Sequence, residues 1–148
     1  MDPVFIQTSQ ARVFHAFGEQ MTLLLDGSQT GGQFTSFVEV TNPGGGPPPH
    51  WHDREDEWFY IIEGRVSFLM EGEWIEAGAG DTVFAPRGKV HAFRNNTETP
   101  TRMLIHAAPS GFEQFFIEAA AEFAKPAGPD IPAAIAIAEK YGIHFVQP

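Results

Sequence analysis

Nine short β-rich segments, separated by glycine, proline, asparagine or polar clusters, occupy the first 108 residues of this chain. They are VFHAF (13–17), MTLLL (21–25), FTSFVEV (34–40), EWFYII (57–62), VSFLM (66–70), WI (74–75), TVFA (82–85), HAF (91–93) and RMLIHA (102–107). Strands this short and this regularly punctuated read as an antiparallel sandwich or barrel, in which tight turns return each strand to a neighbour. No long helical pattern interrupts them, which argues against a parallel sheet with crossover helices. Glu71-Gly72 between two of the segments has the composition of a tight hairpin turn.

After residue 109 the period changes. Ser110 is placed to cap a helix whose apolar residues Phe112, Phe115, Phe116, Ala119 and Phe123 recur at helical spacing. Pro126 to Pro129 break it. Asp130 then caps a second short helix with Pro132 in its first turn and Gly142 as its stop. The expectation is a single domain over 1–148, with an all-β barrel over about 10–108 and a helical extension over about 109–148. The helices are expected to pack on the outside of the barrel. A lid over its mouth is the functional alternative.

Composition removes several classes of function. A net charge of −10 and a pI near 4.9 argue against nucleic acid as a partner and against an anionic membrane surface. With no cysteine, the chain has no disulfide, thiolate nucleophile, iron–sulfur cluster or zinc–thiolate site. Any metal must be held by nitrogen and oxygen. The start, MDPVFIQTSQ, has no basic run followed by an apolar core, and no apolar stretch approaches the roughly 18 residues of a spanning helix. A cytoplasmic protein is the default expectation.

The most informative stretch runs from Gly44 through Pro47–Pro49, His50, His52 and Glu57 to Gly64. On a strand, residues two apart project from one face, so His50 and His52 point inward together. Their separation of roughly 6.6 Å along the strand lets both imidazoles reach one ion. The polar Asp53–Asp56 reads as a turn or strand irregularity that allows Glu57 to begin the next strand and return to the same point. A further candidate, His91, opens the strand after a turn framed by Pro86 and Gly88, and Asn95 shares its face. His-x-His with a following Glu is a metal signal in itself, whereas His91 alone is not.

These two stretches resemble the two motifs of the cupin superfamily, G-x5-H-x-H-x4-E-x6-G and G-x5-P-x-G-x2-H-x3-N. Gly44, His50, His52, Glu57 and Gly64 fill the first; Gly80, Pro86, Gly88, His91 and Asn95 fill the second. The 15 residues between them (65–79) match the compact spacing of microbial members, and one motif pair implies a single barrel. The resemblance implies a double-stranded β-helix (a jelly-roll cupin barrel) that holds one divalent metal through His50, His52, Glu57 and His91. It also implies a homodimer in which an N-terminal strand, here VFIQTS (4–9), pairs with the partner's sheet.

Three imidazoles and a carboxylate suit Fe, Mn, Ni, Co or Zn as divalent ions, and leave positions open for water, dioxygen or a chelating small-molecule ligand. The functional expectation is a metal-dependent oxidoreductase of quercetinase-like, dioxygenase type acting on a small aromatic or enolic compound. Glu57 is its general base. The alternatives are a non-catalytic small-molecule or metal-binding module, or a cupin isomerase or decarboxylase. His15 and His144 are expected to be ordinary surface or packing residues. Trp51 is read as a packing or interface residue, and Glu71, Glu73 and Glu76 as a solvated face. No spacing supports His106 as a ligand.

Overall fold

Why these segments close on one another is visible in the burial of alternate residues. The computed structural model describes residues 1–146. Its eleven strands, β1 to β11 in chain order, form two sheets. One holds, in spatial order, β1 (Arg12–Ala16), β2 (Glu19–Leu25), β3 (Thr35–Thr41), β10 (Thr101–Ala108), β5 (Asp56–Glu63) and β8 (Thr82–Ala85). The other holds β11 (Ile143–Phe145), β4 (His50–His52), β9 (His91–Arg94), β6 (Arg65–Met70) and β7 (Glu73–Gly78). All strand pairs among the described residues are antiparallel. This is the expected double-stranded β-helix.

On β5, Glu57, Phe59 and Ile61 turn inward while Trp58, Tyr60 and Ile62 face out. Phe59, Ile61, Val66, Phe68 and Met103 are wholly buried and fill the barrel below the site. Each such side chain contributes roughly 1.5–3 kcal/mol by leaving water. Glu71 and Gly72 both adopt positive φ (50° and 82°) between β6 and β7, the backbone that a two-residue hairpin needs for its twist to match the strands.

The chain between β3 and β4 is pinned to the end of β9. Gly44 N donates to Asn95 O at 2.8 Å, and Asn95 N donates to Gly45 O at 3.1 Å. The buried Asn95 side chain donates to Thr41 O and Thr99 O and accepts from Thr97. This amide therefore ties both motifs together, inside the barrel wall as its alternation with His91 and Phe93 implies. Gly46, at an unspecified position of the first motif, has φ 128°, and a Cβ there would lie 2.1 Å from Phe93 O. Backbone contact of that closeness admits only glycine.

Helix α1 spans Glu113–Phe123 and α2 spans Ile131–Lys140. Asp130 caps α2 by accepting from Ala133 N at 3.2 Å, and Gly142 ends the region with φ 72°, as expected. Two expectations are corrected, the cap of α1 and the wholly helical extension. Ser110 does not cap α1; its N-cap position is Phe112, without a side-chain cap. Instead the buried Glu113 carboxylate accepts from Gly111 N and from Gly27 N, anchoring the helix start to the β2–β3 loop. The extension is not only helical, because Ile143–Phe145 returns as β11 and pairs with β4. Residues 4–9 form no strand in this chain, and Thr8–Gln10 make a single 3-10 turn. No helix among the described residues is long and apolar enough to cross a membrane.

Gly46→Ala is expected to cost about 3 kcal/mol, from positive φ plus collision with backbone. Gly72→Ala, where a Cβ meets nothing within 4 Å, should cost about 1 kcal/mol. Urea denaturation of the two variants compares them directly.

Candidate metal centre

Two sheets supply the site. In the smaller one, His50 on β4 stands opposite His91 on β9, and His52 projects from the same face two residues on. From the larger sheet, Glu57 on β5 reaches across, flanked in register by the small Ala85 and Ala107. The turn between β8 and β9 is clasped in place: Gly88 N donates to His52 O at 2.8 Å, and the Arg87 guanidinium forks onto Asp56 at 3.1 and 3.0 Å. Short strands that would otherwise fray are therefore held at the ligand end of the barrel.

The four side chains are 3–7% exposed, and their ligand atoms all lie within 4.8 Å of one another. His52 Nε2 comes to 2.5 Å from Glu57 Oε1, and His91 Nε2 to 3.4 Å. Neither contact has hydrogen-bond alignment, so His52 Nε2, His91 Nε2 and Glu57 Oε1 are buried without a partner. Native proteins rarely tolerate such orphans, because each carries a desolvation cost with nothing to offset it. Behind each ring the other nitrogen is engaged: His50 Nδ1 with Pro48 O at 2.9 Å, His91 Nδ1 with Lys89 O at 3.1 Å, and His52 Nδ1 with Glu55 Oε2 at 3.3 Å. That arrangement selects the Nδ1–H tautomer and aims every Nε2 at the common centre, the geometry a metal ion requires. His50, His52, Glu57 and His91 thus form a buried cluster able to hold a metal.

Burial pulls the His50 imidazole down to about 3, aided by the neighbouring His91 and His52. Burial acts the same way on His52, but the charge of the close Glu57 carboxylate and the contact with Glu55 outweigh it and raise it to about 9. Burial pushes Glu57 up; His52 and His91 more than reverse this and hold its carboxyl well below the usual range.

A narrow cavity of about 30 Å³ opens beside the cluster. Seven phenylalanines line it, among them Phe112, Phe115 and Phe116 of the C-terminal extension, while Ile143 and Phe145 of β11 close one side. The extension does pack on β1, as expected of the helices, but it also roofs the site. Among the described residues, no lysine or arginine lines the cavity. Its other polar residue, Glu19, belongs to a pair of buried acids with Glu39, whose second neighbour is the Thr41 hydroxyl.

The remaining histidines stand apart from the cluster. His144 pairs with Asp53 at 2.7 Å and stacks on Trp51, whose ring faces away from His50 and His52. His106 bonds Ser36 Oγ at 2.9 Å and stacks on Phe34, outside the barrel. His15 is exposed on β1. Sequence reasoning missed Glu55, Glu19 and Glu39. Glu39 was within reach, since strict alternation in FTSFVEV puts it on the face of the buried Phe37. Glu55 lies in a polar turn and carries no such signal.

Burial raises Glu39 to about 7, with the bonds from Thr41 and Glu19 opposing the shift. The folded protein then holds a proton that the unfolded chain releases near 4.5, so this contribution to stability is lost as pH rises from about 4.5 through about 7. The melting temperature of Glu39→Gln relative to wild type should therefore climb between pH 5 and pH 8 and level off above that.

The comparisons agree with this geometry. Residues 37–106 match the family model of the cupin domain. Tetracenomycin polyketide synthase protein TcmJ of Streptomyces glaucescens is 27% identical over 106 residues, covering 70% of each chain. Quercetin 2,3-dioxygenase of Bacillus subtilis is 31% identical over 87 residues, 59% of this chain and 26% of that protein. The chain spans between 26% and 70% of the length of such curated relatives. Among solved structures, the polyketide cyclase RemF from Streptomyces resistomycificus superposes with a TM-score of 0.64 at 23% identity, over 74% of this chain and 81% of that one. With its two motifs complete, its two sheets closed around four converging side chains, and these relatives alongside, residues 37–106 of the chain form a cupin domain.

Proposed function

We propose that His50, His52, Glu57 and His91 hold one divalent ion, and that the protein acts as a metal-dependent oxidoreductase of dioxygenase type on a small hydroxylated aromatic or enolic compound. One observation carries the reading: the cavity on the cluster is lined by seven phenylalanines and by no cation. A phosphorylated sugar or a small dicarboxylate entering it would meet Glu57 and Glu19 with no lysine or arginine to neutralise its charge. A flat, apolar ligand with one or two hydroxyls satisfies both walls of the site. The names of two relatives, a quercetin dioxygenase and a polyketide cyclase, support the same class of ligand.

A bound divalent ion supplies Lewis-acid polarisation of a ligand oxygen. The chain's own residues do the rest. The phenylalanines of α1 exclude water and hold the ring, and the volume beside the cluster is too small for a ring until they move aside. Within the cluster, Glu57 is the carboxylate that can take a proton from the ligand hydroxyl. A non-oxidative reading, in which the same site binds or cyclises its ligand, is supported by the name of the structural neighbour RemF, a polyketide cyclase.

The outer face of the six-stranded sheet carries Tyr60, Ile62 and Phe84 in the open, Phe84 at 53% exposure. This apolar edge supports a homodimer, the usual remedy for such a face. Light scattering at micromolar concentration should give twice 16.3 kDa, and a clean single-chain mass overturns the assignment.

His52→Ala or His91→Ala should lose at least tenfold in metal affinity, read by elemental analysis after dialysis against a defined divalent ion, while His144→Ala keeps it. Because ligands bind only when deprotonated, occupancy in wild type should fall on acidification below about pH 6.5. With Fe(II) or Mn(II) loaded, a panel of flavonols, diketones and catechols should drive oxygen uptake in an oxygen electrode. Stoichiometric binding of these compounds without uptake selects the non-oxidative reading.

A further inference from the structure

Two carboxyl groups lie buried inside the barrel beyond the metal cluster, with no cation to balance them. Glu39 on β3 is wholly buried; one of its oxygens accepts from the Thr41 hydroxyl, and the other has no donor apart from the neighbouring Glu19 carboxyl. Glu19 on β2 is 4% exposed and lines the cavity beside His50, His52 and Glu57. The register of the two strands sets Glu19 opposite Thr41 and Glu39 opposite Met21, so the acids meet on a diagonal of one inward face. Two adjacent buried carboxyls cannot both ionise, and the pair retains a shared proton. Burial first, then Glu39 and Glu57, raise Glu19 well above its usual range, which favours the proton on the cavity-facing member of the pair.

We propose that Glu19 and Glu39 form a proton-accepting relay for the hydroxyl of a ligand entering the cavity, with Glu19 meeting the ligand and Glu39 behind it taking the proton. The proposal rests on the cavity being a site for hydroxylated ligands. In the transfer, the ligand O–H bond breaks and its proton passes to the cavity-facing oxygen of Glu19. The proton already on Glu19 passes to the Glu39 carboxylate. The ligand keeps the bonding pair as an oxyanion, and two neutral carboxyls remain; no oxidant or reductant is involved. Such a base sits outside the cluster, so Glu57 stays available to hold the ion while the ligand is ionised.

The groups around the pair are consistent with this role. Glu57 on β5 and His50 and His52 on β4 line the same cavity, and all are engaged in the cluster with His91. On the neighbouring strands, Arg12 and His15 of β1 and Arg102 of β10 are exposed, and His106 is bonded to Ser36 on the outer side. None of these supplies a counter-charge inside the barrel. A buried acid near neutrality is well matched to general-base work at physiological pH.

The test counts protons, not turnover. Zinc-loaded protein is titrated with catechol at pH 8 by calorimetry in two buffers of different ionisation enthalpy, which gives the protons delivered to solvent. Ultraviolet absorption of the bound catechol gives the protons it has lost. In wild type the second number should exceed the first by one. In Glu39→Gln, at unchanged zinc content, the two should become equal, and Glu39→Asp should restore the difference. Equal numbers in wild type overturn the relay without need of a variant. The same difference of one in Glu39→Gln also overturns it and places the proton on Glu57. Loss of zinc from Glu39→Gln reduces Glu39 to a structural residue. Failure of wild type to bind catechol sinks the hydroxylated-ligand reading itself, and the relay with it.

Discussion

His50 faces His91 across the only register pair that joins β4 to β9, and the site is built around that pair. β4 is three residues long and carries two of the four clustered side chains. On its other edge it is held by three register pairs to β11, the last strand of the chain. A three-residue strand has too few hydrogen bonds to set its own position, so its place depends on what flanks it. The C-terminal extension is therefore part of the site's frame: β11 holds the histidine strand from one side while α1 roofs the cavity with phenylalanine.

The same strand shows how buried polar groups are managed in this barrel. Each histidine spends its Nδ1 on a fixed acceptor, two of them backbone carbonyls, and leaves Nε2 free. Three atoms converge without partners, which would be costly in a finished core. Proteins that depart from full satisfaction in this way do so at functional sites. The uncompensated acids Glu19 and Glu39 follow the same logic one layer further in. Hydrophobic replacements of similar size would pack as well there, so stability alone gives no reason to keep two carboxyls together.

Charge and shape then narrow the chemistry. The overall acidity of the chain continues into the cavity, whose ionisable lining consists of acids and histidines. An apolar aromatic wall beside a cluster able to hold a metal favours, on the proposed reading, a ring with hydroxyl groups over a polyanion. The tightness of the closed cavity shifts the burden of admission to α1, whose anchor is the single buried Glu113 bonded to Gly27 and Gly111.

Period-two alternation and turn residues were enough to read the barrel, the Glu71-Gly72 hairpin and the Asp130 cap, since each depends on neighbours within a few positions. The resemblance of the two stretches to the family motifs placed His50, His52, Glu57 and His91 together, where strand alternation by itself paired only His50 with His52. What the local pattern did not carry was decided between distant segments. Ser110 has the chemistry of a cap, yet Glu113 took over the helix start by reaching Gly27, 86 residues away in the chain. Ile143–Phe145 is too short to declare itself a strand, and becomes one only because β4 offers an open edge. Glu55 behind His52, and the diagonal of Glu19 with Glu39, exist only once the strands are in register. The sequence by itself determined which residues line the barrel. Tertiary structure decided how its mouth is closed and which acids meet inside it, because those contacts join residues that no short-range period relates.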